Sequence, residues 1–131
     1  MDDTQTHPTN HQADRRKVAL GSYGETVAAR HLTGAGMVLL ERNFSTKTGE
    51  VDLLLRDGDV LVACEVKTRS SEACGSPHEA VDPGRLQRLH DLLWHWCEAH
   101  GVRPQETRVD LVGVLRTRRG RAALDHVRGL A

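Results

Sequence analysis

Residues 49–67 read GEVDLLLRDGDVLVACEVK, and this stretch decides the fold. Two apolar runs, Val51 to Leu55 and Val60 to Val66, flank Arg56-Asp57-Gly58-Asp59. An Asp-Gly pair between apolar runs predicts a β-hairpin closed by a two-residue loop. Taking Asp57-Gly58 as that loop sets Asp52 opposite Ala63 and Glu50 opposite Glu65. Side chains alternate faces along a strand. Glu50, Asp52, Ala63, Glu65 and Lys67 therefore share one face. Val51, Leu53, Leu55, Val60, Val62, Cys64 and Val66 share the other, which must be core.

On the charged face Asp52 and Glu65 become diagonal neighbours, about 7–8 Å apart, with room for a cation between their oxygens. Acids directly across a ladder, here Glu50 and Glu65, repel each other, and a divalent cation would cancel that repulsion. Hard oxygen donors suit Mg²⁺ or Mn²⁺ better than zinc. Lys67 on the same face would orient a water or stabilise charge on a phosphate. The economical use of such a set is metal-assisted phosphodiester hydrolysis. The same charges also fit a solvated hairpin face with Glu65 and Lys67 in a surface ion pair. Spacing alone leaves both readings open.

Outward from the hairpin, Leu20, Val27, Ala28 and Leu32 recur at helical spacing and predict a helix from Lys17 to about Leu32, ended by Gly34 and Gly36. Met37 to Leu40 reads as a short buried strand, and Phe44 to Lys47 leads into the hairpin. Ser70 to Pro77 reads as a small-residue loop. Pro83-Gly84 opens a helix to about His100 with Leu86, Leu89, Leu93 and Trp96 as its buried stripe. Arg108 to Leu115 forms a last strand. The order is helix, three strands, helix, strand, an α/β arrangement. Residues 1–16 are polar without apolar periodicity and read as a disordered tail. Residues 17–131 then form one domain, with a core over about 17–115 and an Arg-rich segment at 116–131.

The 131 residues suit a single domain with a modest core. Tyr23, Phe44, Trp94 and Trp96 are the only Tyr, Phe and Trp residues, too few for a stacking platform for single strands. The formal net charge of +0 means that a polyanion would have to meet a local basic patch. Cys64, Cys74 and Cys97 form no C-x-x-C pair, and neither a signal peptide nor a long apolar run is present. The expectation is a cytoplasmic protein with free thiols and no membrane association.

Glu25 lies at the edge of the first helix's buried stripe, where an acid needs a partner. It either reaches the hairpin site or pairs with Arg30 or an upstream base. Asp110, in an apolar strand, reads as a hydrogen-bonded structural acid. His90, His95 and His100 recur every five residues, which does not gather them on one helical face for zinc.

Gly49-Glu50-Val51-Asp52-Leu53 followed by Glu65-Val66-Lys67-Thr68-Arg69 resembles the PD-(D/E)XK nuclease signature. The element order matches the restriction endonuclease-like core, a central mixed sheet flanked by helices. More narrowly, the chain resembles the YraN family, whose members look like archaeal Holliday-junction resolvases. The matching pieces are Gly24-Glu25 with Ala28 and Ala29, Arg42-Asn43-Phe44, Gly75, Pro77, Glu79-Ala80-Val81, and Arg108-Val109-Asp110-Leu111-Val112. The resemblance implies Asp52 and Glu65 as ligands of Mg²⁺ or Mn²⁺, Lys67 as the catalytic lysine and Glu25 as an acid that can join the metal shell. Glu50 falls in the same motif with a supporting role. Family members often carry Lys near the start of the second helix, where this chain has Arg85.

Arg69, Arg85 and Arg88 are candidate phosphate contacts. Arg116, Arg118, Arg119 and Arg121 form the densest basic run, either a nucleic-acid arm or a solvated tail. The expected partner is nucleic acid, DNA rather than RNA, with branched or irregular substrates in view. Cutting two strands would call for a homodimer. Two alternatives share the fold: a nucleic-acid-binding module without catalysis, and a protein-interaction domain.

Overall fold

A computed structural model describes residues 8–70, 82–117 and 120–130. Helix α1 spans Pro8–Gly34, strands β1 (Val38–Thr46), β2 (Gly49–Asp57) and β3 (Val60–Arg69) follow, then α2 (Pro83–His100), β4 (Glu106–Leu115) and β5 (Ala123–Val127). The five strands form one sheet in the order β1-β2-β3-β4-β5. All neighbours are antiparallel except β3 and β4, which are parallel. A parallel pair needs a long crossover, and α2 supplies it. The expected helix, three strands, helix, strand order is present, as a mixed sheet flanked by helices in the manner of a restriction endonuclease-like core.

The three central strands, β2, β3 and β4, are buried on both faces. Ala28, Ala29 and Leu32 of α1 pack with Leu53, Leu55, Val62, Cys64, Val112 and Val114. Leu89, Leu93, Trp96 and Cys97 of α2 pack with Val51, Leu54, Leu61, Ala63 and Val109. Helix α2 has well-formed ends. Asp82 caps it by accepting from the Arg85 backbone N–H at 2.8 Å, Pro83 enters its first turn, and Gly101 ends it at φ 67°. Helix α1 starts at Pro8, well before the expected Lys17, so residues 8–16 are helical rather than a disordered tail. A helix anchored further along propagates outward through good formers such as Gln12, Ala13, Arg15 and Arg16 without needing an apolar stripe there.

The hairpin loop is Gly58-Asp59, one residue later than expected, because Asp57 pairs with Val60. Gly58 has φ 62°, the left-handed conformation that a II′ turn requires at its first loop position. Moving a two-residue loop by one residue moves every partner by two. Each strand therefore keeps its faces while the pairing changes: Leu54, not Asp52, faces Ala63.

A second departure concerns Val51. It packs with the α2 cluster, whereas Leu53 packs with the α1 cluster. Residues two apart in a strand ordinarily share a face. On the neighbouring strand Arg42 pairs with Leu53 and Phe44 with Val51, and Asn43 between them has φ 55°. This left-handed residue flips the alternation on β1, and the paired stretch of β2 follows it at Asp52.

Strand β5 extends the sheet beyond the expected end of the core. Its anchor is Asp110, fully buried on β4. Asp110 accepts from Arg108 Nε at 2.8 Å, His126 Nε2 at 3.0 Å and the Gly129 backbone N–H at 3.0 Å. Burial alone would raise its pKa, but these donors outweigh burial and hold it below the ordinary value. A depressed carboxylate pKa contributes stability above pH 4 that is lost as pH falls below it. The strand is short, mostly exposed and without a period-two alternation, so the sequence pattern does not announce it.

Asp110→Ala is expected to lower unfolding free energy by about 3 kcal/mol at pH 7, because buried donors lose their acceptor. Urea titration measures this, and a loss below about 1 kcal/mol would mean that the network does not fix β5.

Candidate functional site

The site forms where the β2–β3 ladder stops. Backbone pairing runs to Leu53 and Cys64. Beyond it the Asp52 side chain stands in for the missing strand bond: its Oδ2 accepts from the Val66 backbone N–H at 2.9 Å. The opening is a cleft of about 290 Å³ whose lining includes Glu25, Asp52, Glu65, Lys67 and Arg85. Four residues expected to act together thus share one cleft: Asp52 from β2, Glu65 and Lys67 from β3, and Glu25 from α1.

Helix α1 reaches this cleft because Gly24 lets it lie directly on β3. A Cβ at Gly24 would stand 1.7 Å from Thr68 Oγ1, well inside contact distance. Glu25, the next residue, is held from the other side by β1. Its Oε1 accepts from Asn43 Nδ2 at 3.2 Å and from Arg42 Nη2 at 3.4 Å. These partners replace the expected Arg30 or upstream base. The left-handed Asn43 therefore both turns the strand and reaches the helix acid.

Electrostatic strain concentrates on the two strand acids. Glu65 is 1% exposed. Its Oε2 accepts from both Nε and Nη2 of Arg85, while its Oε1 is buried with no hydrogen-bond partner among the described residues. Asp52 is pushed up to about 7, first by burial, then by the charge of Glu65, with smaller pushes from Glu25 and Glu50 and partial relief from the Val66 N–H. A dry carboxylate beside another is the arrangement a cation would relieve.

The other expected residues are placed differently. Glu50 is exposed on β2 and acts on Asp52 only through its charge. Arg85 pairs with Glu65 rather than standing free for a phosphate. Arg88 is exposed on α2 outside the cleft lining. Arg69 is partly buried at the end of β3, and its Nε has no partner among the described residues. Arg116 lies over the Tyr23 ring at 5.2 Å. His90 Nδ1 meets Thr107 Oγ1 at 2.7 Å, a structural contact. Burial pushes the pKa of the Cys64 and Cys97 thiols up. Cys74, Gly75, Pro77, Glu79-Ala80-Val81, Arg118, Arg119 and most of the Ser70 to Pro77 loop lie outside the described residues.

Among the described residues no three His, Cys, Asp or Glu side chains already stand as a metal cage. The donor set nonetheless fits a small hard cation, which takes one or two carboxylates and fills its other positions with water and substrate oxygens. Asp52 and the free Oε1 of Glu65 are such a pair. No helix among the described residues is long and apolar enough to cross a membrane.

Arg42 and Asn43, as holders of Glu25, were legible only as part of the motif Arg42-Asn43-Phe44. Nothing in their spacing from Glu25 signals the contact. The Glu65–Arg85 pair was equally hidden, because it joins a strand to a helix cap across the Ser70 to Pro77 loop.

Residues 24–114 match the sequence profile described as Uncharacterised protein family UPF0102. A UPF0102 protein of Nocardioides sp. is 57% identical over 122 residues, covering 93% of this chain and 98% of that protein. A UPF0102 protein of Streptomyces coelicolor is 53% identical over 86% of this chain and 88% of its own length. One from Kineococcus radiotolerans is 50% identical over 89% and 97%. The resemblance first carried by the helix and hairpin motifs thus extends through nearly the whole sequence, and the chain belongs to the UPF0102, or YraN, family.

Proposed function

We propose that this protein binds nucleic acid and hydrolyses phosphodiester bonds in DNA, with branched or irregular structures as substrates, using Mg²⁺ or Mn²⁺. The observation that carries the proposal is the cleft that gathers Asp52, Glu65, Lys67 and Glu25 and leaves one buried oxygen of Glu65 without a partner. Asp52 and Glu65 would hold the cation, with Glu25 assisting directly or through water. When bound, the cation would lower the pKa of a water and offset negative charge on the phosphate oxygens. Lys67 orients the attacking water and stabilises the developing negative charge. Asp52 accepts the Val66 N–H with Oδ2, which leaves Oδ1 as its other donor oxygen. Cutting two strands would call on a second copy of the chain.

The Glu65–Arg85 ion pair favours a second reading, a module that binds nucleic acid without catalysis, because it already neutralises one of the two acids. That module would bind DNA in EDTA, weaken with salt and cut nothing.

Asp52→Ala, Glu65→Ala and Lys67→Ala are each expected to reduce cleavage of four-way or duplex DNA in Mn²⁺ by about 100-fold or more. Single-stranded DNA completes the panel. Undiminished cleavage in all three variants would end the nuclease proposal.

The raised pKa of Asp52 gives an independent prediction with a definite sign. Between about pH 4 and pH 7 the folded protein holds a proton on Asp52 that the unfolded chain has released. In the absence of divalent cations Asp52 therefore makes stability fall as pH rises through that window, by at most about 1.4 kcal/mol per pH unit. Added Mn²⁺ should stabilise the protein more at pH 8 than at pH 5.5, since the cation displaces that proton. Urea midpoints across this range test both statements. Asp52→Asn should remove the falling contribution, and a profile unchanged by the substitution would refute the assignment.

A further inference from the structure

We propose that Arg85 is a displaceable counter-ion of Glu65: it neutralises this acid while the cleft lacks a divalent cation and passes to a substrate phosphate when one binds. The inference rests on the nuclease reading above and assigns Arg85 its part in it. Three observations carry it. Arg85 holds a single oxygen of Glu65 with two nitrogens, while the other oxygen is buried without a partner among the described residues. The pair therefore uses only part of the acceptor capacity of Glu65 and does not close the site.

The two partners differ in their freedom to move. Glu65 is 1% exposed on a central strand, and the Arg85 side chain is 35% exposed. The Arg85 backbone is fixed, because its N–H bonds to Asp82 in the first turn of α2. Only its side chain can leave, and it leaves toward solvent at the mouth of the same cleft. A guanidinium binds phosphate oxygens as readily as carboxylate oxygens, by the same two-pronged geometry.

Charge balance points the same way. The cleft lining sets three acids, Glu25, Asp52 and Glu65, against two bases, Lys67 and Arg85. A dication on Asp52 and Glu65 tips the cleft to net positive, and Arg85 loses its reason to stay on Glu65. A phosphodiester supplies the anion that the released guanidinium needs. Arginine thereby couples cation binding to substrate binding, a coupling that a lysine at this position would make with a single point contact.

The experiment titrates Mn²⁺ into the full chain at pH 8 by calorimetry, without DNA, for wild type, Arg85→Met and Arg85→Lys. Removing a competing cation should tighten Mn²⁺ binding about tenfold in Arg85→Met, with Arg85→Lys between the two. Mn²⁺ should also raise the melting temperature of Arg85→Met by more than that of wild type. On a fluorescent DNA duplex, Mn²⁺ should strengthen wild-type binding, and Arg85→Met should lose most of that increment. Equal or weaker Mn²⁺ binding in Arg85→Met, or an unchanged DNA increment, overturns the counter-ion role and leaves the nuclease reading standing. No Mn²⁺ binding to any of the three proteins overturns both. Should Arg85→Met fail to fold, Arg85→Lys carries the same comparison.

Discussion

Two acids, Asp52 and Glu65, are drawn out of water at the point where β2 and β3 part, and neither can be fully satisfied by the other's strand. Burial first, and the charge of Glu65 second, raise the energy of ionised Asp52, and its pKa is pushed up accordingly. The surroundings read as responses to this constraint. The Asp52 side chain takes the Val66 N–H that the ladder would otherwise leave unpaired. Arg85 reaches across from the second helix to one oxygen of Glu65. On the far side of β2, Asn43 adopts a left-handed conformation that lets the strand turn without losing its pairing to β1.

Much of this arrangement is written in the period of the strands. Side-chain parity along β3 is robust: a two-residue loop placed one position too early still sets Glu65 and Lys67 on one face, because partners move by two, whereas Asp52 sits where the alternation of β2 breaks. The apolar faces of β2 and β3 were legible for the same reason, apart from Val51. The remainder depends on contacts distant in sequence or on backbone choices that composition does not reveal. Asn43 carries no glycine to advertise its positive φ. Strand β5, Ala123–Val127, is held by side chains on β4 rather than by its own alternation. Helix α1 runs to Pro8 because a helix anchored elsewhere tolerates a polar extension.

Close approach links the parts. The missing side chain at Gly24 allows α1 to press on Thr68, and that contact sets Glu25 at the rim of the cleft. The larger cleft, about 520 Å³, lies at the opposite end of the hairpin against Trp96, Val60 and Leu61, and its described lining brings no pair of acids together. The acids gather in the smaller cleft, where the strands open.

The two fully buried acids of the sheet make the decisive contrast. Asp110 and Glu65 are equally withdrawn from solvent, at 0% and 1% exposure, and they sit on adjacent strands. Asp110 receives Arg108, His126 and the Gly129 backbone on its two oxygens, and its charge is stabilised outright. Glu65 receives one arginine on one oxygen and has a second acid pressing on it. A structural acid is surrounded by donors, since each unmet lone pair in a dry interior costs stability. An acid left half-met beside another acid and a lysine keeps acceptor capacity that its own surroundings do not use. Burial alone does not separate the two roles, and the count of donors around each carboxylate does.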